Sequence, residues 1–124
     1  MLPEPGADSP ITWINYAKAD LALASIGLPP GVMYSLLCFH AQQAVEKALK
    51  AVLLCLGTDF PNTHSLQKLV ELLPPGLQVD PSISQSVILT PYAVVTRYPG
   101  DIEEIPRDEY DEAVNIASAV VRLA

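Results

Sequence analysis

The chain has few aromatic residues, little cysteine and little positive charge. Of its 124 residues 6% are aromatic, two are cysteine, and seven are Lys or Arg against fourteen Asp or Glu. Cys38 and Cys55 fall on one predicted helix, where their separation at about 1.5 Å per residue sets them roughly 25 Å apart, too far for a disulfide. Both are read as free, buried thiols. The formal charge of -7 argues against nonspecific binding of duplex DNA, which depends on neutralising phosphates. Alternating β-branched runs are absent, which weighs against sheet and in favour of helix. The cysteines and histidines lack zinc-ligand spacing, and the acidic run has no glycine-bearing loop of the calcium-binding type. No Gly-rich phosphate loop occurs either. Neither a metal nor another cofactor is therefore expected, and a nucleotide would have to be met by side chains.

From Leu21 to Val45 there is no Asp, Glu, Lys or Arg, a run long enough to raise the question of a membrane span. Pro29, Pro30 and Gly31 interrupt it and would break a spanning helix in its middle, so a helical hairpin that does not enter the membrane is expected. Pro3, Glu4, Pro5 and Gly6 stand where a secretory leader would be basic and then apolar, so a cytoplasmic location is expected. Acidity is concentrated in "DIEEIPRDEYDE" (101–112), which holds seven of the fourteen carboxylates. That leaves seven acidic against six basic residues elsewhere, so a local basic pocket is compatible with the total. The acidic segment itself reads as a solvated loop and helix start, or as a docking face for a basic partner.

Punctuation and period divide the chain into about five helices. Ser9 and Pro10 cap and open the first, whose Trp13, Ala17, Leu21, Ala24 and Leu28 share a face. The second runs from about Val32 to Leu56 with Leu37, Ala41, Ala44, Ala48, Val52 and Leu56 as a stripe, widened by Val45, Leu49 and Leu53, and stopped by Gly57. A short third helix comes after Thr63 or Ser65 and ends at Pro74 to Gly76. A fourth carries Ile83, Val87, Leu89 or Thr90, and Val94, kinked at Pro91, and a fifth starts near Pro106 with Tyr110, Val114, Ala117 and Val121 inward. The expectation is an all-α, antiparallel up-and-down bundle forming one domain over 1–124, with three long core helices. The Ala-rich face of the second helix suits close helix approach, and its apolar end suits contact with a second subunit.

Within the second helix, His40 projects between Leu37 and Ala44, on or beside the core stripe as a buried histidine, and Gln43, Lys47 and Lys50 run along its flank. Gln42 and Glu46 project further round. A groove with those donors suits a phosphate or a carboxylate. The same spacing also describes an ordinary solvated helix edge, with Glu46 and Lys50 as an exposed i,i+4 pair. Asp20, on the inner edge of the first helix, is placed to pair with Lys47 or Lys50. His64 opens the third helix, where it suits a hydrogen bond to loop backbone.

"FHAQQAVEKALKAVL" (39–53), with "WINYAKADLALA" (13–24), "THSLQKLVELL" (63–73) and "TRYPG" (96–100), resembles the small prokaryotic HEPN family. The resemblance implies a helical bundle that dimerises or assembles further, often encoded beside a minimal nucleotidyltransferase as a toxin-antitoxin-like pair. It also implies, in many members, a metal-independent ribonuclease with Arg and His separated by four to six residues, the arginine stabilising phosphate charge and the histidine moving a proton. Arg97 matches that arginine, but the histidine positions hold Ile102, Glu103 and Glu104. The reading is therefore a nucleotide- or RNA-associated partner module without catalytic competence, with His40, Gln43, Lys47, Lys50, His64 and Arg97 as its anion contacts. The alternatives are a ribonuclease using Arg97 with His40 or His64, and a purely structural adaptor.

Overall fold

The computed structural model describes residues 9–26, 34–93 and 105–124, and every regular element among them is helical. The expected turn at Pro29 to Gly31, the end of the fourth helix beyond Ala93, and Arg97 lie outside the described residues. Helix α1 (Pro10–Ala24) opens as its local chemistry dictates: Ser9 Oγ accepts from the Thr12 N–H at 3.3 Å, and Pro10 takes the first turn, where its missing N–H costs nothing. Helix α2 (Tyr34–Cys55) ends because Gly57 adopts a φ of 72°. The Thr58 N–H then returns to the Leu53 carbonyl at 2.9 Å, and that of Gly57 to Leu54 at 3.1 Å, so the last turn's carbonyls are satisfied.

Three short helices come next. Ser65 caps α3 (Leu66–Glu71), Pro75 opens the single turn of α4 (Pro75–Gln78), and Asp80 caps α5 (Pro81–Ser86). The sequence reading takes Pro74, Pro75 and Gly76 as a terminator only. Pro75 also starts a helical turn, because a proline is well suited to a first helical position. A 3-10 helix (Val87–Ala93) continues α5 around Pro91, which lacks the N–H that an α-helix would use. Helix α6 (Arg107–Leu123) completes the chain, with Asp108 and Glu109 in its first turn and Arg122 in its last, as the helix dipole favours. Six α-helices thus appear among the described residues where about five were expected, the extra one being α4.

Contacts define the directions. Trp13 lies against Lys50, and Asp20 against His40 and Lys47, so α1 and α2 run antiparallel. Tyr34 stacks on Tyr110 at 4.7 Å, while Leu49 and Val120 line one cavity, so α2 and α6 run the same way. The leg from Ile83, at that cavity, to Tyr92, bonded to Glu109, climbs back between them and completes an up-and-down bundle. The Tyr110 hydroxyl donates to the Ala24 carbonyl, tying the end of α1 to the start of α6. Ala17, Ala24, Ala41, Ala44 and Ala48 are fully buried, which lets the helices approach closely around Leu49, Leu53, Leu69 and Leu89.

Two apolar positions depart from expectation. Leu56 is 50% exposed and Cys55 is exposed, because α2 stops at Cys55 and the Gly57 turn leads the chain away from the core. Cys38 is buried, and burial followed by the nearby negative charge of Glu109 pushes its thiol up to about 11. Iodoacetamide on the native protein at neutral pH is accordingly expected to label Cys55 alone, with Cys38 reacting only after denaturation, as intact-mass spectrometry would count. Among the described residues no helix is long and apolar enough to cross a membrane.

Candidate functional site

The face between α1 and α2 carries two carboxylates, two lysines and both histidines. On one side Asp20 receives Lys47 Nζ at 2.6 Å and His40 Nδ1 at 3.0 Å. Asp20 is the buried polar residue of α1, so α1 supplies one carboxylate to two side chains that α2 presents two turns apart. On the other side Glu46 receives Lys50 Nζ at 2.9 Å, His64 Nδ1 at 2.8 Å and Gln42 Nε2 at 3.2 Å. Gln42 Nε2 also lies 3.3 Å from the His64 backbone carbonyl, and Gln43 Nε2 donates to Gln42 Oε1 at 2.7 Å. A carboxylate can only accept, so each histidine presents a protonated Nδ1 to it and keeps Nε2 for other partners.

Three of these residues lie elsewhere than the helical projection puts them. Glu46 and Lys50, expected as an exposed i,i+4 pair, are only 3% and 5% exposed, and Gln42 is fully buried. The segment 58–65 folds back along α2 and brings His64 onto Glu46, so the polar flank of the helix is covered as well as its apolar stripe. His64, expected to bond loop backbone, uses its ring on Glu46 instead and remains 65% exposed on the side chain. His40 is part-exposed and not buried. Asp20 does pair across the bundle, with Lys47. His40, Gln43, Lys47, Lys50 and His64 are thus gathered on one face, while Arg97 is outside the described residues.

Aromatic rings complete this face. Lys50 Nζ stands 5.5 Å from the Trp13 ring centroid and 5.7 Å from that of Phe60, and Lys47 Nζ is 5.8 Å from that of Tyr16. Trp13 and Phe60 meet edge to face at 6.5 Å. A buried ammonium is stabilised by such ring faces as well as by its carboxylate. Trp13 and Tyr16 lie one turn apart on α1, a spacing readable from the sequence; Phe60 arrives only through the returning loop.

Burial by itself would raise the Glu46 carboxyl. The hydrogen bonds from His64 and Lys50, the charge of Lys50 and the bond from Gln42 together outweigh burial and hold it below its ordinary 4.5. The unfolded chain therefore takes up this proton first as pH falls. Glu46 contributes its stability above pH 4.5 and loses it as pH drops through the lower folded-state value. The urea midpoint is expected to fall between about pH 6 and about pH 3, and to fall less in Glu46→Gln. Among the described residues no buried side-chain nitrogen or oxygen lacks a partner, and no group of three His, Cys, Asp or Glu could hold a metal ion.

The HEPN domain model matches residues 12–124, which takes in both helices of this face and the returning loop. The chain belongs to the HEPN family. Two solved structures are similar to this HEPN domain along nearly its whole length. TT1696 from Thermus thermophilus is 30% identical, with 93% of this chain and 94% of that chain covered and a TM-score of 0.75. ST0689, an archaeal HEPN homologue, is 28% identical, with 93% of each chain covered and a TM-score of 0.69. No curated protein matches the sequence.

Proposed function

We propose that this HEPN domain is a non-catalytic partner module that meets a nucleotide or RNA phosphate along the α1–α2 edge, working beside a minimal nucleotidyltransferase in a toxin-antitoxin-like pair. One observation carries the reading: two histidines are each held at Nδ1 by a carboxylate that a lysine already balances. Holding Nδ1 on a carboxylate fixes the imidazole's orientation and leaves Nε2 facing outward, where it donates to an anion when the ring carries its second proton. The lysines, being countered by Asp20 and Glu46, serve mainly to set this frame. They do not form an uncompensated cradle, so contact with phosphate is modest and suits a module that acts with a partner.

Two surfaces support partnership. Ile11, Leu56 and Leu123 are exposed around an apolar cavity of about 420 Å³, which suits a homodimer or higher assembly. Asp108, Asp111 and Glu112 of α6 line a separate groove with Gln85 and Ile88, which suits a basic protein surface. Isothermal titration of ATP, GTP and short RNA tests the phosphate contact. The wild type is expected to bind at least one, and the His40→Ala/His64→Ala variant to lose most of that affinity; a wild type silent to all three ends the reading. RNA cleavage in chelator that disappears in Arg97→Ala would favour the ribonuclease alternative instead.

A further inference from the structure

Both lysines of the α1–α2 edge are already balanced, and the chain carries a net charge of -7, so phosphate attraction by itself gives a ligand little hold there. What the edge does concentrate is ring surface. The chain holds only five Tyr, two Phe and one Trp. Of these eight, Trp13, Tyr16 and Phe60 pack around Lys47 and Lys50, and Phe39 stands edge-on to His40 at 5.2 Å. Both histidines are here too. Two of these rings are well open to solvent, with Tyr16 45% exposed and the His64 side chain 65% exposed.

Both rings have fixed partners. Lys47 sits over Tyr16 while its ammonium is anchored on Asp20, and the His64 ring is anchored at Nδ1 on Glu46. A ring fixed in place loses little freedom when a flat ligand settles on it. Stacking on a π-face is tolerant of base identity and does not require net positive charge, whereas a duplex hides its base faces.

We propose that the α1–α2 edge is a nucleobase-stacking site, in which unpaired bases lie against the solvent-exposed parts of the Tyr16 and His64 rings and the base, more than the phosphate, supplies the affinity. This rests on the nucleotide reading above and names its ligand class: a nucleotide with an exposed base, either free or within a single strand of RNA. Duplex RNA and bare polyphosphate are poor ligands on this account.

The single tryptophan, Trp13, lies within the site and reports on it through intrinsic fluorescence. Four probes are titrated into the full chain: AMP, a short oligoadenylate, an abasic ribose-phosphate oligomer of the same length, and pyrophosphate. AMP and oligoadenylate are expected to change Trp13 emission saturably. The abasic oligomer should bind about tenfold or more weakly, and pyrophosphate more weakly still. If the source is a strand, oligoadenylate outbinds AMP; if it is a free nucleotide, the two bind alike per base. Tyr16→Leu and His64→Leu should each lower oligoadenylate affinity about tenfold, and Tyr16→Phe should retain it, with thermal unfolding confirming that each variant folds. Equal binding of abasic and base-bearing oligomers overturns the stacking site while leaving the phosphate reading standing. So does oligoadenylate binding that neither leucine variant alters. Failure of all four probes to bind removes both.

Discussion

Replacing Glu46 with glutamine is expected to destabilise the domain by about 3–5 kcal/mol, seen as a lower urea midpoint with an unchanged slope. Glu46 and Lys50 are 3% and 5% exposed, so removing the carboxylate's charge leaves a buried ammonium without its counter-ion. Glutamine keeps the shape and one accepting oxygen, so packing changes little; the loss comes from the charge. The rings of Trp13 and Phe60 offset part of it, each lying within 6 Å of Lys50 Nζ. Against the roughly 5–15 kcal/mol that holds a typical domain together, this is a large share. The double variant Glu46→Gln/Lys50→Met separates charge from contact. Taking both charges out of a buried site is often close to neutral, so it should recover most of the loss. A loss below about 1 kcal/mol for Glu46→Gln would show that Lys50 reaches water more readily than its burial implies.

Leu53→Ala is expected to cost about 2–5 kcal/mol by the same measurement, whereas Leu56→Ala should cost about 0.5 kcal/mol or less. Both leucines fit the helical period of α2 and look alike in the sequence. Leu53 is 0% exposed, so truncation removes its burial and leaves a void among close-packed neighbours. Leu56 sits beyond the last α-helical residue at the apolar rim, half in water. A large loss for Leu56→Ala in the isolated chain would mean that this rim is already covered, with a second copy as the natural cover. Repeating the measurement across protein concentrations would then show a midpoint that rises with concentration.

Helix starts are legible because the signals are local. Ser9 with Pro10 and Asp80 with Pro81 each pair a side-chain acceptor with a residue preset for the first turn, and Gly57 marks the one described position that needs a positive φ. The Asp20 partnership is legible as well, since a lone acidic residue on the inner edge of an apolar helix must find a cation. Two features are not legible. Pro75 reads only as a terminator because proline both ends helices and begins them, and the choice depends on the residues after it. The inward turn of Gln42, Glu46 and Lys50 escapes a helical projection, which ranks residues around one axis and cannot say how many sides of that axis other segments will cover.

The chain's residues alone decided that it would be helical, where most helices would start and stop, and which alanines and leucines would form the seam. These features come from capping, backbone preference and a 3.6-residue period, all of which act within a few positions. The tertiary structure decided the character of the polar face. Only when segment 58–65 lies back along α2 does the Glu46–Lys50 pair become buried and His64 become a fixed, exposed ring. The burial of that pair comes from a segment whose His64 meets Glu46 eighteen positions away in the chain, and no local rule carries that information.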